Sequence, residues 1–190
     1  MSEKHHNGGM AEASPWSRIQ AELYALFGRN PRSNRLVVEL AEPAPDHVTL
    51  DVGCGPGAAV RAAAPLVRRA VGVDNSAAMV RIAARRSGDM TNVEYQVGSA
   101  EALPFAAATF DRVWTVHAFH HWSEQSAGIA EALRVLRPDG RFLVVEHHSR
   151  RSHGLTTPEA EALTERLIGA GFSDARVERH RKELVITAHA

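Results

Sequence analysis

What this 190-residue sequence lacks narrows its class before any motif is considered. It has a single cysteine, Cys54, so an internal disulfide is impossible and cysteine-rich zinc sites are excluded. Lys and Arg number 22, as do Asp and Glu, and this lack of excess charge argues against a nucleic-acid partner. No apolar run approaches the roughly 20 residues that a bilayer span requires, and the polar start lacks the apolar region of a signal peptide. We therefore expect a cytoplasmic protein with no membrane span and no nucleic-acid partner.

The order of segments predicts a single α/β domain over residues 14–190, preceded by a disordered polar tail over residues 1–13. Strand-like and helix-like segments alternate, which is typical of a doubly wound, mainly parallel sheet. The tight turn near Arg181 requires the last two strands to be antiparallel. The predicted strands are 48–52, 70–74, 93–97, 110–116, 141–146, 174–179 and 183–188. The predicted helices are 14–27, 33–40, one ending near 67, 77–86, 124–136 and 157–169, with a turn at 138–140.

A glycine-rich turn, Gly53 to Gly57, joins the first strand to the next helix. Glycine lets the backbone approach a ligand closely, and the N-terminus of a helix favours an anionic group. Asp74 ends the second strand, where a carboxylate can accept hydrogen bonds from the hydroxyls of a ribose. Together these features predict a cofactor that contains a nucleoside, bound at the carboxyl ends of parallel strands.

Two cofactors compete for this loop. Gly53, Gly55 and Ala58 satisfy the loose dinucleotide pattern G-x-G-x-x-A, which favours a nicotinamide cofactor. Asp51, two residues before the first glycine, would repel a pyrophosphate but attract the ammonium and sulfonium of S-adenosylmethionine. The charge of Asp51 therefore favours S-adenosylmethionine.

Several stretches resemble one family in order and spacing. They are Leu50–Gly57, Val71–Asp74, Val97–Phe105, His120–Trp122 and Arg134–Gly140. In this combination the chain, from about residue 30 onward, resembles the class I S-adenosylmethionine-dependent methyltransferases of the ubiquinone/menaquinone-biosynthesis type.

The resemblance implies a Rossmann-like seven-stranded sheet of order 3-2-1-4-5-7-6 with strand seven antiparallel, and helices within residues 14–40 that cover the cofactor or substrate. It implies that the cradle of the methionyl group is formed by Gly53 and Gly55, and that Asp74 binds the ribose. Ser99 and Ala100 would lie beside the adenine. The full set of expected cofactor-binding residues is Asp51, Gly53, Cys54, Gly55, Gly57, Asp74, Asn75, Ser99, Ala100 and Val116.

Ser99 departs from the family pattern, which usually has an aspartate that accepts from the adenine amino group. A neutral hydroxyl is a weaker acceptor than a carboxylate. We therefore expect Ser99 to reduce cofactor affinity slightly and the Ser99→Asp substitution to preserve or tighten binding.

Histidines follow two strands that should converge where ligands bind. The candidates for a general base are His117, His120 and His121 after strand four, with His147, His148 and His153 after strand five. No spacing among them is diagnostic of a metal site, so none is predicted.

The sequence thus predicts methyl transfer from S-adenosylmethionine to a small-molecule acceptor by in-line displacement. The alternatives are an NAD-dependent oxidoreductase and a noncatalytic S-adenosylmethionine-binding regulatory module. Only about ten residues, 147–157, separate strand five from the next helix. This short connection indicates either an open site for a larger acceptor or a site completed by a second subunit in a homodimer.

Overall fold

The structure is a computed structural model that describes residues 31–149 and 154–190. The predicted tail at 1–13, the predicted helix at 14–27 and His153 lie outside the described residues. The helices are α1 (Pro31–Ala41), α2 (Ala58–Ala63), α3 (Ala77–Ser87), α4 (Gln125–Val135) and α5 (Thr157–Ala170), with short 3-10 turns at Ala64–Leu66 and Phe119–His121. The strands are β1 (Val48–Val52), β2 (Arg69–Asp74), β3 (Val93–Val97), β4 (Phe110–Val116), β5 (Leu136–His147), β6 (Asp174–His180) and β7 (Glu183–His189).

Two helices begin at side chains suited to capping. The Ser76 hydroxyl accepts a hydrogen bond from the backbone N–H of Met79 at 3.3 Å and so begins α3. Thr156 and Glu159 form a reciprocal capping box at the start of α5, and Gly171 ends that helix in a left-handed conformation. These caps satisfy backbone groups that a helix terminus leaves unpaired, and they fix where each helix meets the sheet.

All seven strands form one sheet in the order β3-β2-β1-β4-β5-β7-β6. β1 pairs in parallel with β2 and β4, and β3 and β5 extend the parallel part outward. β7 runs antiparallel to both β5 and β6. The predicted fold, strand order and antiparallel strand are confirmed, and the carboxyl ends of β1, β2, β4 and β5 meet at one edge.

The prediction that residues 138–140 form a turn ahead of the fifth strand needs a correction. β5 already begins at Leu136, which pairs with Phe110, and Arg141 pairs with Arg112. Four residues of β5 therefore lie opposite a single residue of β4, and Asp139 within them has a φ of +63°. The turn-forming residues make a local excursion inside the strand, which resumes pairing without leaving the sheet.

The helices cover both faces of the sheet. On one face, Trp114 and Leu143 pack with residues of α1 and α2 and are fully buried. On the other, Phe110 and Phe142 pack with residues of α4 and α5. Burial on both faces explains why the central strands are continuously apolar and holds their carboxyl ends in fixed positions. None of the described helices is long and apolar enough to cross a membrane.

Candidate active site

A cavity of about 410 Å³ lies at the carboxyl ends of β1, β2 and β4, within the size range of small-molecule sites. Eight of the ten residues expected to bind cofactor line it: Gly53, Cys54, Gly55, Asp74, Asn75, Ser99, Ala100 and Val116. Asp51 and Gly57 do not line the cavity. Asn34 of α1 also contributes to the wall of the cavity.

The loop after β1 is held against β2 by its backbone. The N–H groups of Gly53 and Cys54 both donate to the carbonyl oxygen of Val73, at 2.8 and 3.0 Å. Gly53 has a φ of +75°, and a Cβ there would lie only 2.6 Å from Cβ of Ala118. Glycine is therefore required at residue 53 by conformation and by space.

Tyr95 of β3 packs against the same loop. A Cβ at Gly57 would overlap the Tyr95 hydroxyl oxygen, and one at Gly72 of β2 would lie 2.7 Å from Tyr95 Cδ1. The hydroxyl of Tyr95 is also 2.9 Å from the Ser87 hydroxyl at the end of α3. Gly57 thus has a packing role beneath the cavity, since the ring of Tyr95 occupies the space beside it.

Asp74 is positioned by the loops on both sides of it. Its Oδ2 accepts from the Gly55 N–H and its Oδ1 from the Ser76 N–H, each at 2.8 Å. A carboxylate oxygen has two lone pairs, so each oxygen retains capacity for a ligand hydroxyl. Burial raises the pKa of Asp74, partly offset by these two backbone hydrogen bonds. The arrangement suits recognition of two adjacent hydroxyls.

Asp51 lies beneath the cavity and is only 2% exposed. Burial, followed by the nearby charge of Asp74, raises its pKa to about 8. Its Oδ1 is buried and has no hydrogen-bond partner among the described residues. A buried carboxyl group of this kind is stabilised in its charged form by a nearby cation. The site therefore fits a positively charged ligand better than a pyrophosphate.

Glu101 supplies a carboxylate that the sequence comparison at residue 99 missed. It lines the cavity, and one of its oxygens accepts from the Ser99 hydroxyl. Its other oxygen accepts from the N–H of Ser123 at 2.8 Å, and this bonding, led by Ser99, lowers its pKa. Ser99 and Glu101 together place a negative charge near where the family has aspartate. The sequence could have indicated this carboxylate, since Glu101 follows Ser99 by only two residues.

The three candidate histidines that follow β4 lie in different environments. His117 and His121 line the cavity, whereas His120 does not. Nδ1 of His120 lies 2.9 Å from an oxygen of Glu146, a fully buried residue of β5, and its ring lies 3.9 Å from that of His121. His120 is therefore anchored to the core and supports His121. His148 lies away from the cavity, with Nε2 3.3 Å from the Thr157 hydroxyl.

His117 takes part in a second cluster with His147 and Glu183. Nε2 of His117 lies 3.0 Å from Oε2 of Glu183, and the rings of His117 and His147 stack at 3.8 Å. Burial, together with the proximity of His117, lowers the pKa of His147. Burial raises the pKa of Glu183, but hydrogen bonds from His117 and Ser33, together with the proximity of His117 and His147, outweigh burial and lower that pKa.

A glycine loop, a carboxylate at the end of β2 and a cavity at the carboxyl edge together define a doubly wound protein that binds a nucleoside cofactor. A family profile described as a methyltransferase domain matches residues 50–144. This chain belongs to that methyltransferase-domain family. The class, fold and S-adenosylmethionine cofactor expected from the sequence are confirmed at the level of the family.

Individual relatives of this chain are also methyltransferases by name. YcgJ of Bacillus subtilis, named an uncharacterized methyltransferase, is 39% identical over 146 residues, or 74% of this chain and 56% of the relative. A demethylmenaquinone methyltransferase of Renibacterium salmoninarum is 33% identical over 144 residues, or 76% of this chain and 58% of the relative. A SAM-dependent methyltransferase from Aquifex aeolicus superposes with a TM-score of 0.70 at 20% identity, covering 94% of this chain and 99% of that structure. The chain spans a little over half the length of the two curated relatives.

Proposed function

We propose that this chain transfers the methyl group of S-adenosylmethionine to a small-molecule acceptor by in-line displacement. The observation that carries the proposal is the pair of carboxyl groups at the glycine loop. Asp74 presents two oxygens suited to adjacent hydroxyls, and Asp51 carries a buried oxygen that has no hydrogen-bond partner within residues 31–149 and 154–190. A nucleoside with a cationic amino-acid part complements both.

Within this proposal, the residues of the cavity divide by role. Asp74 holds the ribose, Gly53 and Gly55 allow the backbone to approach the methionyl part, and Glu101 with Ser99 faces the adenine. Bound S-adenosylmethionine supplies an electrophilic methyl group, so the protein mainly has to align the acceptor with it. Relatives named demethylmenaquinone methyltransferase support a small-molecule acceptor.

We assign the general base to His121, because it lines the cavity and its ring lies 3.9 Å from that of an anchored neighbour. His120 is a positioning residue in this scheme, since its ring is held by Glu146 and does not line the cavity. His121 would accept the proton that the acceptor loses as it is methylated.

Calorimetric titration with S-adenosylhomocysteine and, separately, with NAD⁺ tests the cofactor assignment. We expect heat of binding with S-adenosylhomocysteine only, and binding of NAD⁺ alone would indicate an oxidoreductase. Transfer of labelled methyl groups to a panel of quinols, phenols and amines then tests the activity. Tight cofactor binding without turnover of any acceptor in cell extract would favour the noncatalytic module.

The proposal also includes the cellular location and the oligomeric state of the protein. We place the protein in the cytoplasm on the strength of its single cysteine. The short connection after β5 leaves either an open site for a larger acceptor or a site completed by a second copy in a homodimer, and the mass of the protein in solution decides between them.

A further inference from the structure

Two imidazoles and one carboxylate converge beside the cofactor cavity. Nδ1 of His147 lies 3.3 Å from Oε2 of Glu183, and Nε2 of His117 lies 3.0 Å from the same oxygen. All three ligand atoms lie within 4.8 Å of one another. His117 lines the cofactor cavity, while His147 and Glu183 line a cleft beside α1, so the cluster forms the wall between the two.

The separations of the two histidine nitrogens from Oε2 of Glu183 match the spacing of ligand atoms around a transition metal, and one of the stacked imidazoles has to turn for both nitrogens to face the same ion. With bonds of roughly 2.0–2.1 Å, ligand atoms around a tetrahedral zinc ion lie roughly 3.3–3.4 Å apart, and adjacent octahedral ligands roughly 2.9 Å apart. The observed separations of 3.0 and 3.3 Å fall between these values. Two imidazoles with one carboxylate suit zinc, cobalt or iron, whereas magnesium and calcium prefer oxygen ligands.

The surroundings hold the carboxylate of Glu183 and the backbones of both histidines in place. The Ser33 hydroxyl donates to Oε1 of Glu183 at 2.7 Å, which directs Oε2 toward the imidazoles. His147 and Glu183 are paired directly across β5 and β7. His117 adopts a φ of +52°, rare for a residue with a side chain, while its N–H donates to Val145 at 2.8 Å. Such an outer hydrogen bond and rigid backbone are what orient ligands at metal sites.

We propose that His117 Nε2, His147 Nδ1 and Glu183 Oε2 bind a divalent transition-metal ion. Three protein ligands leave at least one coordination position for water or for an oxygen of a second molecule. The side chain of His147 is 44% exposed, so an ion can enter from the cleft. The ion site does not depend on the proposed methyl transfer, although an ion here would adjoin the cavity in which that reaction takes place.

The test is metal binding by the full chain, purified without a polyhistidine tag, treated with a chelator and kept free of S-adenosylmethionine. Titration with Zn²⁺ in a calorimeter should give one ion per chain. Co²⁺ should give the visible absorption bands of a four- or five-coordinate ion, and Zn²⁺ should abolish them. Because no methyl donor is present, a failure of the proposed methyl transfer leaves this result unaffected.

Variants then locate the ion. His147→Ala and Glu183→Gln should each weaken binding about 100-fold or more, and Ser33→Ala about 10-fold. His180→Ala is the matched control, because His180 lies beside the same cleft but outside the cluster, and it should bind as the unaltered chain does. His147 is half-exposed, so its variant should fold even if that of Glu183 does not. Unchanged affinity in His147→Ala, or no binding at one ion per chain, overturns the proposal.

Discussion

Replacement of Asp74 by asparagine tests the cofactor site most directly. Alanine would be a poorer choice, because Asp74 also accepts from the N–H groups of Gly55 and Ser76 and so holds the loop. Asparagine keeps the shape of the side chain and one oxygen but removes the charge. One of the two backbone N–H groups then faces the amide NH2 instead of an oxygen, so asparagine keeps one of the two loop hydrogen bonds, whereas a truncation loses both.

The expected loss follows from the number of hydrogen bonds that Asp74 can make. A hydrogen bond to a charged group contributes about 1.5–3 kcal/mol and a neutral one about 1 kcal/mol. Two charge-assisted bonds to the ribose would become one neutral bond, a net loss of about 2 kcal/mol or more. Since 1.4 kcal/mol corresponds to tenfold, the dissociation constant of S-adenosylhomocysteine should rise about 30-fold.

Calorimetry of Asp74→Asn measures this change, with Asp89→Asn as the same substitution at an exposed position. Burial raises the pKa of Asp74, so binding by the unaltered chain should weaken as the pH falls through that raised value. The asparagine variant should lack this dependence on Asp74. An unchanged dissociation constant, with the melting temperature preserved, would refute the assignment of Asp74 to the ribose.

Three further outcomes are expected. Glu101→Gln should weaken S-adenosylhomocysteine binding about tenfold. Ser99→Asp should also weaken it, because a second carboxylate would then lie against Glu101. The sequence alone had led us to expect preserved or tighter binding for Ser99→Asp, and tighter binding would contradict the present argument. His121→Ala should lower turnover about 100-fold with cofactor affinity unchanged, and a normal rate would remove His121 as the base. Asp51 keeps its proton to about pH 8 in the folded protein but only to about 3.8 when unfolded, so stability falls as pH rises between these values. In thermal melts, the advantage of Asp51→Asn over the unaltered chain should therefore grow from pH 5 to pH 8, and a constant difference would contradict the burial argument.

Most of the fold could be predicted because its strands are short, apolar and separated by strong turn signals. The boundary that was wrong lies at β5, where Pro138, Asp139 and Gly140 carry a local turn signal. Pairing of Leu136 with Phe110 and of Arg141 with Arg112 overrides that signal. The local preference of residues 138–140 for a turn is thus real, but it cannot show that the chain resumes pairing in the same strand afterwards.

Residues that line the cavity could be predicted where one loop contains them, and residues that distant strands bring together were missed. The glycine loop and Asp74 follow directly from local sequence, and eight of the expected residues line the cavity. Glu183 joins His117 and His147 only through the register of β7 on β5, which no spacing along the chain reveals. Glu146 did leave a signal, since it is a carboxylate at the end of an apolar strand, but its partner His120 depends on side-chain orientation.

The ring of Tyr95, lodged between Gly57 and Gly72, constrains the order in which these positions can change during evolution. A side chain at either glycine would collide with the ring, so each such substitution alone should be harmful. A smaller residue at 95 removes the collision with the ring, but a Cβ at Gly72 would still lie 2.8 Å from Sγ of Cys54, and the positive φ of Gly57 still disfavours most side chains there. The effects at 54, 72 and 95 should therefore be non-additive, and a larger residue at 72 becomes accessible only after residues 95 and 54 have both become smaller.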